Sequence, residues 1–200
     1  TGAMTLSGNN SYTGDTTVLA GKLLIDGQLT SDVTATGGEL GGAGTIQGNV
    51  LIRSGAMSTA GNSMLDPTGK LTITGNYTQE EDGIVQIDIQ GSDQGTTYDW
   101  IAVSGTANLD GRLRIVLDGY QPASLETFDV LTASTIMETS PPLLIDDALA
   151  PLLPAQYWTY QILGNPGEGM ILQLQVGVPE PSSVVLAALV GLALLGWGLV

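Results

Sequence analysis

Strand-length segments closed by Gly or Asn constrain this chain most. Residues 16–25, 38–50 and 51–57 are strand-length pieces with Thr, Val, Leu or Ile, punctuated by Gly or Asn, residues that accept the positive φ of a tight turn. With 28 Gly, one Phe and only 12% charged residues, the composition argues for short stacked strands rather than helices. The phrase Gly2-Ala3-Met4-Thr5-Leu6-Ser7-Gly8-Asn9 returns as Gly69-Lys70-Leu71-Thr72-Ile73-Thr74-Gly75-Asn76, an offset of 67 residues. Internal repetition points to a solenoid, and this offset fits three coils of about 22 residues. Tyr12 and Tyr77 occupy matching places in the two copies and are expected to stack as packing residues.

Downstream, residues 84–89, 100–103, 113–117, 128–131 and 171–176 alternate apolar and polar positions, as half-buried strands do. Asp110-Gly111 predicts a hairpin turn, and four prolines between 141 and 154 predict a loop across 139–155. Residues 119–177 are expected to cap the end of a repeat region spanning 1–118, because an open solenoid end exposes unpaired strand edges.

The carboxy terminus is different in kind. From Val184 to Val200, 17 residues are drawn only from Val, Leu, Ala, Gly and Trp. As a helix they would measure roughly 26 Å, close to the hydrocarbon thickness of a bilayer. A transmembrane helix over 183–200 is therefore expected, with Val184, Leu186 and Leu195 in the apolar run, Gly191 in a small-xxx-small pair with Ala187, and Trp197 near the far interface. Ahead of it, Pro181 suits a first helical turn and Glu180 the positive end of the helix dipole.

Two resemblances follow from these residues. Val178-Pro179-Glu180-Pro181 followed by the apolar run resembles a PEP-CTERM sorting signal, a bacterial tail thought to be recognised and cleaved by a membrane-embedded exosortase. The terminal basic cluster of that family is missing at Val200, and no leader with a basic and an apolar region precedes Gly2, so we read the sequence as the carboxy-terminal part of a longer precursor. Residues 4–14, 16–18 and 20–23 resemble the autotransporter-associated β-strand repeat, which implies an all-β, right-handed parallel β-helix with a structural rather than catalytic role.

Inventory excludes much chemistry. The absence of His and Cys removes His-based triads, thiol nucleophiles and the usual zinc sites. Five basic residues against 20 acidic ones, a net charge of -15, leave no patch for nucleic acid. Asp88, Asp93 and Asp99, with Arg112 or Arg114, are the residues a polysaccharide-cleaving site would use, although Asp is favoured in turns on its own account. The run from Gly41 to Gly44 is similar to half of a calcium-binding glycine repeat, but Ile46 stands where its Asp would be, and the triplet Glu80-Glu81-Asp82 reads as a solvated turn. Asn9 and Asn76 begin glycosylation tripeptides. No regular Thr-x-Thr ladder is visible. The expectation is a non-enzymatic exported protein without cofactor, held by its tail in the inner membrane until an exosortase sorts it to the surface or extracellular matrix. A carbohydrate-binding or adhesive surface module, with extracellular polysaccharide as partner, is the alternative.

Overall fold

A computed structural model describes residues 2–61, 67–139 and 141–179. Its described residues form 21 strands and no helix. The first sheet stacks β1 (Ala3–Leu6), β4 (Lys22–Ile25), β7 (Gly38–Gly41), β10 (Ala56–Ser58), β13 (Ile84–Ile89), β16 (Arg112–Leu117) and β19 (Leu144–Leu149). The second stacks β2 (Asn9–Asn10), β5 (Gln28–Leu29), β8 (Thr45–Ile46), β11 (Lys70–Ile73), β14 (Trp100–Val103) and β17 (Thr127–Ala133), then β21 (Gly169–Gly177) and β20 (Tyr157–Asn165). The third holds β3 (Thr16–Val18), β6 (Val33–Ala35), β9 (Val50–Ile52), β12 (Tyr77–Gln79), β15 (Thr106–Leu109) and β18 (Thr135–Glu138).

Every strand from β4 to β19 therefore pairs in parallel with the strand three places before it, so one coil visits all three sheets before the next begins. This all-β parallel arrangement is consistent with a β-helix. Its direction reverses at the end: β21 runs antiparallel to β17, and β20 antiparallel to β21.

Alternation supplies the core. In the first sheet Leu23, Leu40, Ser58, Val85 and Leu113 stand in one inward row, and in the second Leu29, Ile46, Ile73 and Val103 do the same. The third contributes Val33, Val50, Tyr77, Ala107 and Ile136. All of these are buried, and each buried Leu or Ile is worth about 1.5–3 kcal/mol. Size is balanced across rows: Tyr77 fits because the facing position is Ser58 and the next in its own row is Ala107.

Coil length is not constant. Val33 and Val50 are partners 17 positions apart, Val50 and Tyr77 27, and Tyr77 and Ala107 30. The extra residues enter at one place. Links from the first sheet to the second take two or three residues at 7–8, 26–27 and 42–44, but 11, 10 and 9 residues at 59–69, 90–99 and 118–126. The other two corners stay short throughout the first five coils.

The insertion pattern and strand order correct five expectations. The coils are not uniform repeats of about 22 residues. The two copies of the recurring phrase are not equivalent, since β1 lies in the first sheet and β11 in the second. Tyr12 is exposed outside the strands while Tyr77 is fully buried, so they do not stack. Asp110-Gly111 turns between β15 in the third sheet and β16 in the first, which is a coil corner and not a hairpin. The proline-rich stretch 139–155 also contains β19, with Arg114 across from its Asp146.

Candidate functional site: a buried acid clasp and three outer faces

Asp99 closes the enlarged corner. It is fully buried immediately before β14, and its carboxylate accepts three hydrogen bonds: the Gly69 N–H at 3.0 Å, the Asp88 N–H at 3.1 Å and the Thr59 hydroxyl at 3.0 Å. Thr59 lies just beyond β10, Gly69 just before β11 and Asp88 within β13, so a single side chain ties two successive coils together. Asp88 is buried beside it and accepts from Gln86 Nε2 at 3.2 Å and from Thr59 at 3.4 Å. Burial pushes Asp99 well above the usual carboxylate range, with the neighbouring charge of Asp88 adding to the effect. Burial raises Asp88 too, with smaller contributions from Glu39 and Asp118.

Between the two acids the chain makes an excursion stitched by Gln90 N–H to Thr97 O at 2.7 Å. Its Tyr98 stands edge-on to Phe128, with ring centroids 5.2 Å apart, and Phe128 in turn meets Trp158.

The clasp does not assemble the charged set considered for sugar cleavage. Asp93 sits in the exposed tip, where its carbonyl accepts the N–H of Thr97. Arg114 pairs with Asp146 at 2.9 Å on the outside of the first sheet, and Arg112 is exposed at the start of β16. Of the acidic triplet, Glu80 pairs with Arg53 at 3.3 Å across two coils. Among the described residues no group of three or more His, Cys, Asp or Glu is placed to hold a metal.

The three outer faces differ in chemistry. The first sheet carries the ion pairs Lys22–Glu39 and Arg114–Asp146. At the edge of the third sheet, a ladder of side chains runs along the coil axis: Asn49 N–H donates to Asp32 Oδ1 at 2.7 Å, Asn76 N–H to Asn49 Oδ1 at 2.9 Å, and Thr106 N–H to Asn76 Oδ1 at 2.9 Å. Asn76, noted in the sequence as a glycosylation acceptor, thus carries a main-chain donor on its side-chain oxygen.

The second sheet presents two parallel ranks of small, mostly polar side chains, broken by one alanine. One rank is Gln28, Thr45, Thr72, Ala102 and Thr132. Two positions on, Thr30, Gln47, Thr74, Ser104 and Ser134 form the second, flanking the buried row of Leu29, Ile46, Ile73, Val103 and Ala133. Sequence reading missed this array because each coil spells it with a different tripeptide; only the register lines them up.

Of the sorting-signal residues, Val178 is half-buried and Pro179 exposed just beyond β21. Glu180, Pro181, Val184, Leu186, Gly191, Leu195 and Trp197 lie outside the described residues. Among the described residues no helix is long and apolar enough to cross a membrane.

Comparison with known proteins locates a relationship at the amino-terminal end. Residues 1–25, which include β1 to β4, match the passenger-associated-transport-repeat family. Over 70 residues, 33% of this chain, the sequence is 47% identical to the adhesin BmaC autotransporter of Brucella suis biovar 1 (strain 1330). That alignment spans 2% of the adhesin's length. The repeat reading of the first coils is thereby supported, and the chain resembles part of an autotransporter adhesin over a third of its length.

Proposed function

We propose that this chain is an exported, non-enzymatic surface protein whose coils form a right-handed parallel β-helix serving structural and adhesive roles. The observation that carries the proposal is the repeat match on residues 1–25, whose strands are followed by parallel pairing that continues to β19, with one register shift between Arg114 and Val116 in the last pair. Right-handed winding follows the strong preference of parallel crossovers. Residues 178–200 serve as a PEP-CTERM signal, holding the protein in the inner membrane through the helix at 183–200 until an exosortase-type enzyme releases it to the surface or matrix. The antiparallel pair β20–β21 and the segment before it act as the cap of the stack.

The test is export in a PEP-CTERM-bearing host. The intact protein is expected in the membrane fraction and, after processing, outside the cell with a new end near Pro181. A cytoplasmic, unprocessed product overturns the sorting reading. Adhesion to surfaces by cells displaying the protein, lost when residues 1–177 are deleted, tests the adhesive role separately.

A further inference from the structure

We infer that the outer face of the second sheet docks a neutral polysaccharide, laid along the coil axis over the two polar ranks. The inference rests on the adhesive reading above and gives it a ligand class.

Charge is the first argument. The chain carries 20 acidic residues, yet none of the ten positions in the two ranks is Asp, Glu, Lys or Arg. An anionic polymer would meet a molecule of net charge -15 with a single cation, Lys70, in the strands of the second sheet to receive it, while a neutral one meets no repulsion. The ion pairs Lys22–Glu39, Arg53–Glu80 and Arg114–Asp146 lie on the first sheet and at the corners, and the second sheet's own charges, Lys70 of β11 and Asp129 of β17, stand outside the ten positions.

The second argument is geometry. Successive coils in a parallel sheet stand about 4.8 Å apart, and positions two residues apart along a strand about 6.6 Å. The ranks are therefore a rectangular net over five coils, in which nine of the ten positions carry a hydroxyl or amide able to donate and accept and Ala102 leaves one gap. Thr side chains are stiff at χ1 and their backbone is fixed by the ladder, so little rotamer freedom remains to be lost on binding. Bonds within the net, such as Thr30 Oγ1 to Gln47 Oε1 at 3.1 Å, hold the amides in place.

The third argument is access and an apolar margin. Links from the second sheet to the third take only one to three residues from β5 onward, so none of them overhangs that side, and the β20–β21 turn reaches it at the last coil alone, where Gly167 N–H donates to the Ser134 carbonyl at 2.8 Å. On the opposite side the half-buried Trp100 borders the net, its Nε1 donating to Thr132 Oγ1 at 3.0 Å and Lys70 Nζ lying 4.0 Å from its ring centroid. Lys70 covers one face of this indole, and the rest of the ring, beside hydroxyl and amide groups, is the apolar surface offered to the C–H face of a sugar.

The test is co-sedimentation of the full chain, held in mild detergent, with microcrystalline cellulose as the neutral probe and alginate beads as the acidic one. Binding to cellulose and not to alginate is expected. The double variant T45E/T72E, on the net, should lose binding by about tenfold or more. T34E/T78E, on the third sheet, should bind as the parent does, with circular dichroism confirming the fold of both. No sedimentation with cellulose, equal binding by T45E/T72E, equal binding to alginate, or inhibition of ice recrystallisation without cellulose binding would each overturn the inference. Because binding is read on purified protein, its failure leaves the export proposal standing, and failed export leaves the binding result standing.

Discussion

Ser58 Oγ and Tyr77 Oη lie 2.7 Å apart in the interior, where both residues are fully buried. The pair is the polar seam between two inward rows that are otherwise largely hydrocarbon. Burial pushes the Tyr77 phenol far above its ordinary range, with the Ser58 bond pulling the other way.

Tyr77→Phe leaves the Ser58 hydroxyl without that partner in the core. A loss of about 1–3 kcal/mol is expected in denaturant unfolding. Ser58→Leu should lose at least as much, because it matches Leu40 and Val85 in its own row but drives into the Tyr77 ring.

Asn49 is the middle rung of the axial ladder, accepting from Asn76 and donating to Asp32. Asn49→Ala frees the Asn76 N–H at an exposed corner, where water replaces part of the lost bond. The expected cost is about 1 kcal/mol, with faster amide exchange at Asn76 as the local signature.

Asp99 couples stability to pH. Its folded-state pKa lies above the ordinary 3.8, so the fold binds the proton more tightly than the unfolded chain does. The contribution is complete below the unfolded value and is lost as pH rises through the folded one. Unfolding free energy should therefore fall as pH climbs from about 4, with a weaker slope in Asp99→Asn. Asn cannot accept every donor that Asp99 does, so the variant is expected to be less stable at pH 4 and the gap to narrow upward. Parallel slopes in the two proteins would refute the assignment.

Gly75 sits at the corner between β11 and β12, directly over Gly48, and a Cβ there would run into the Gly48 carbonyl oxygen. Gly75→Ala should shift two coils apart and lower the thermal midpoint by several degrees or more, roughly the effect of 1–3 kcal/mol in a chain of this size. At Gly111, with φ of +74°, the same change adds backbone strain to a similar clash.

Much of the strand content was legible in the residues, and its phase was not. Period-two alternation marks 84–89 and 113–117 because Val85, Ile87, Ile89, Leu113 and Ile115 face the core at every second position, and the structure forms β13 and β16 there. Similarity between the phrases at 2 and 69 reports a shared local conformation, strand then glycine turn, and carries no information on which sheet receives it. The 11-residue link at 59–69 shifts the second copy by one side of the coil, which is why Tyr77 points into the core and Tyr12 does not. Likewise Asp99, read in sequence as a turn-former or a catalytic acid, is a buried acceptor whose donors come from 40, 30 and 11 residues away, a separation no local pattern encodes.

Three times over, the corner between the first and second sheets absorbs roughly half a coil of additional polypeptide while the inward rows stay in line. Length can thus change there without altering the register elsewhere. The corner is a natural graft point: a foreign loop spliced into the tip around Asp93 would be carried outward on a rigid stem, as a means of display.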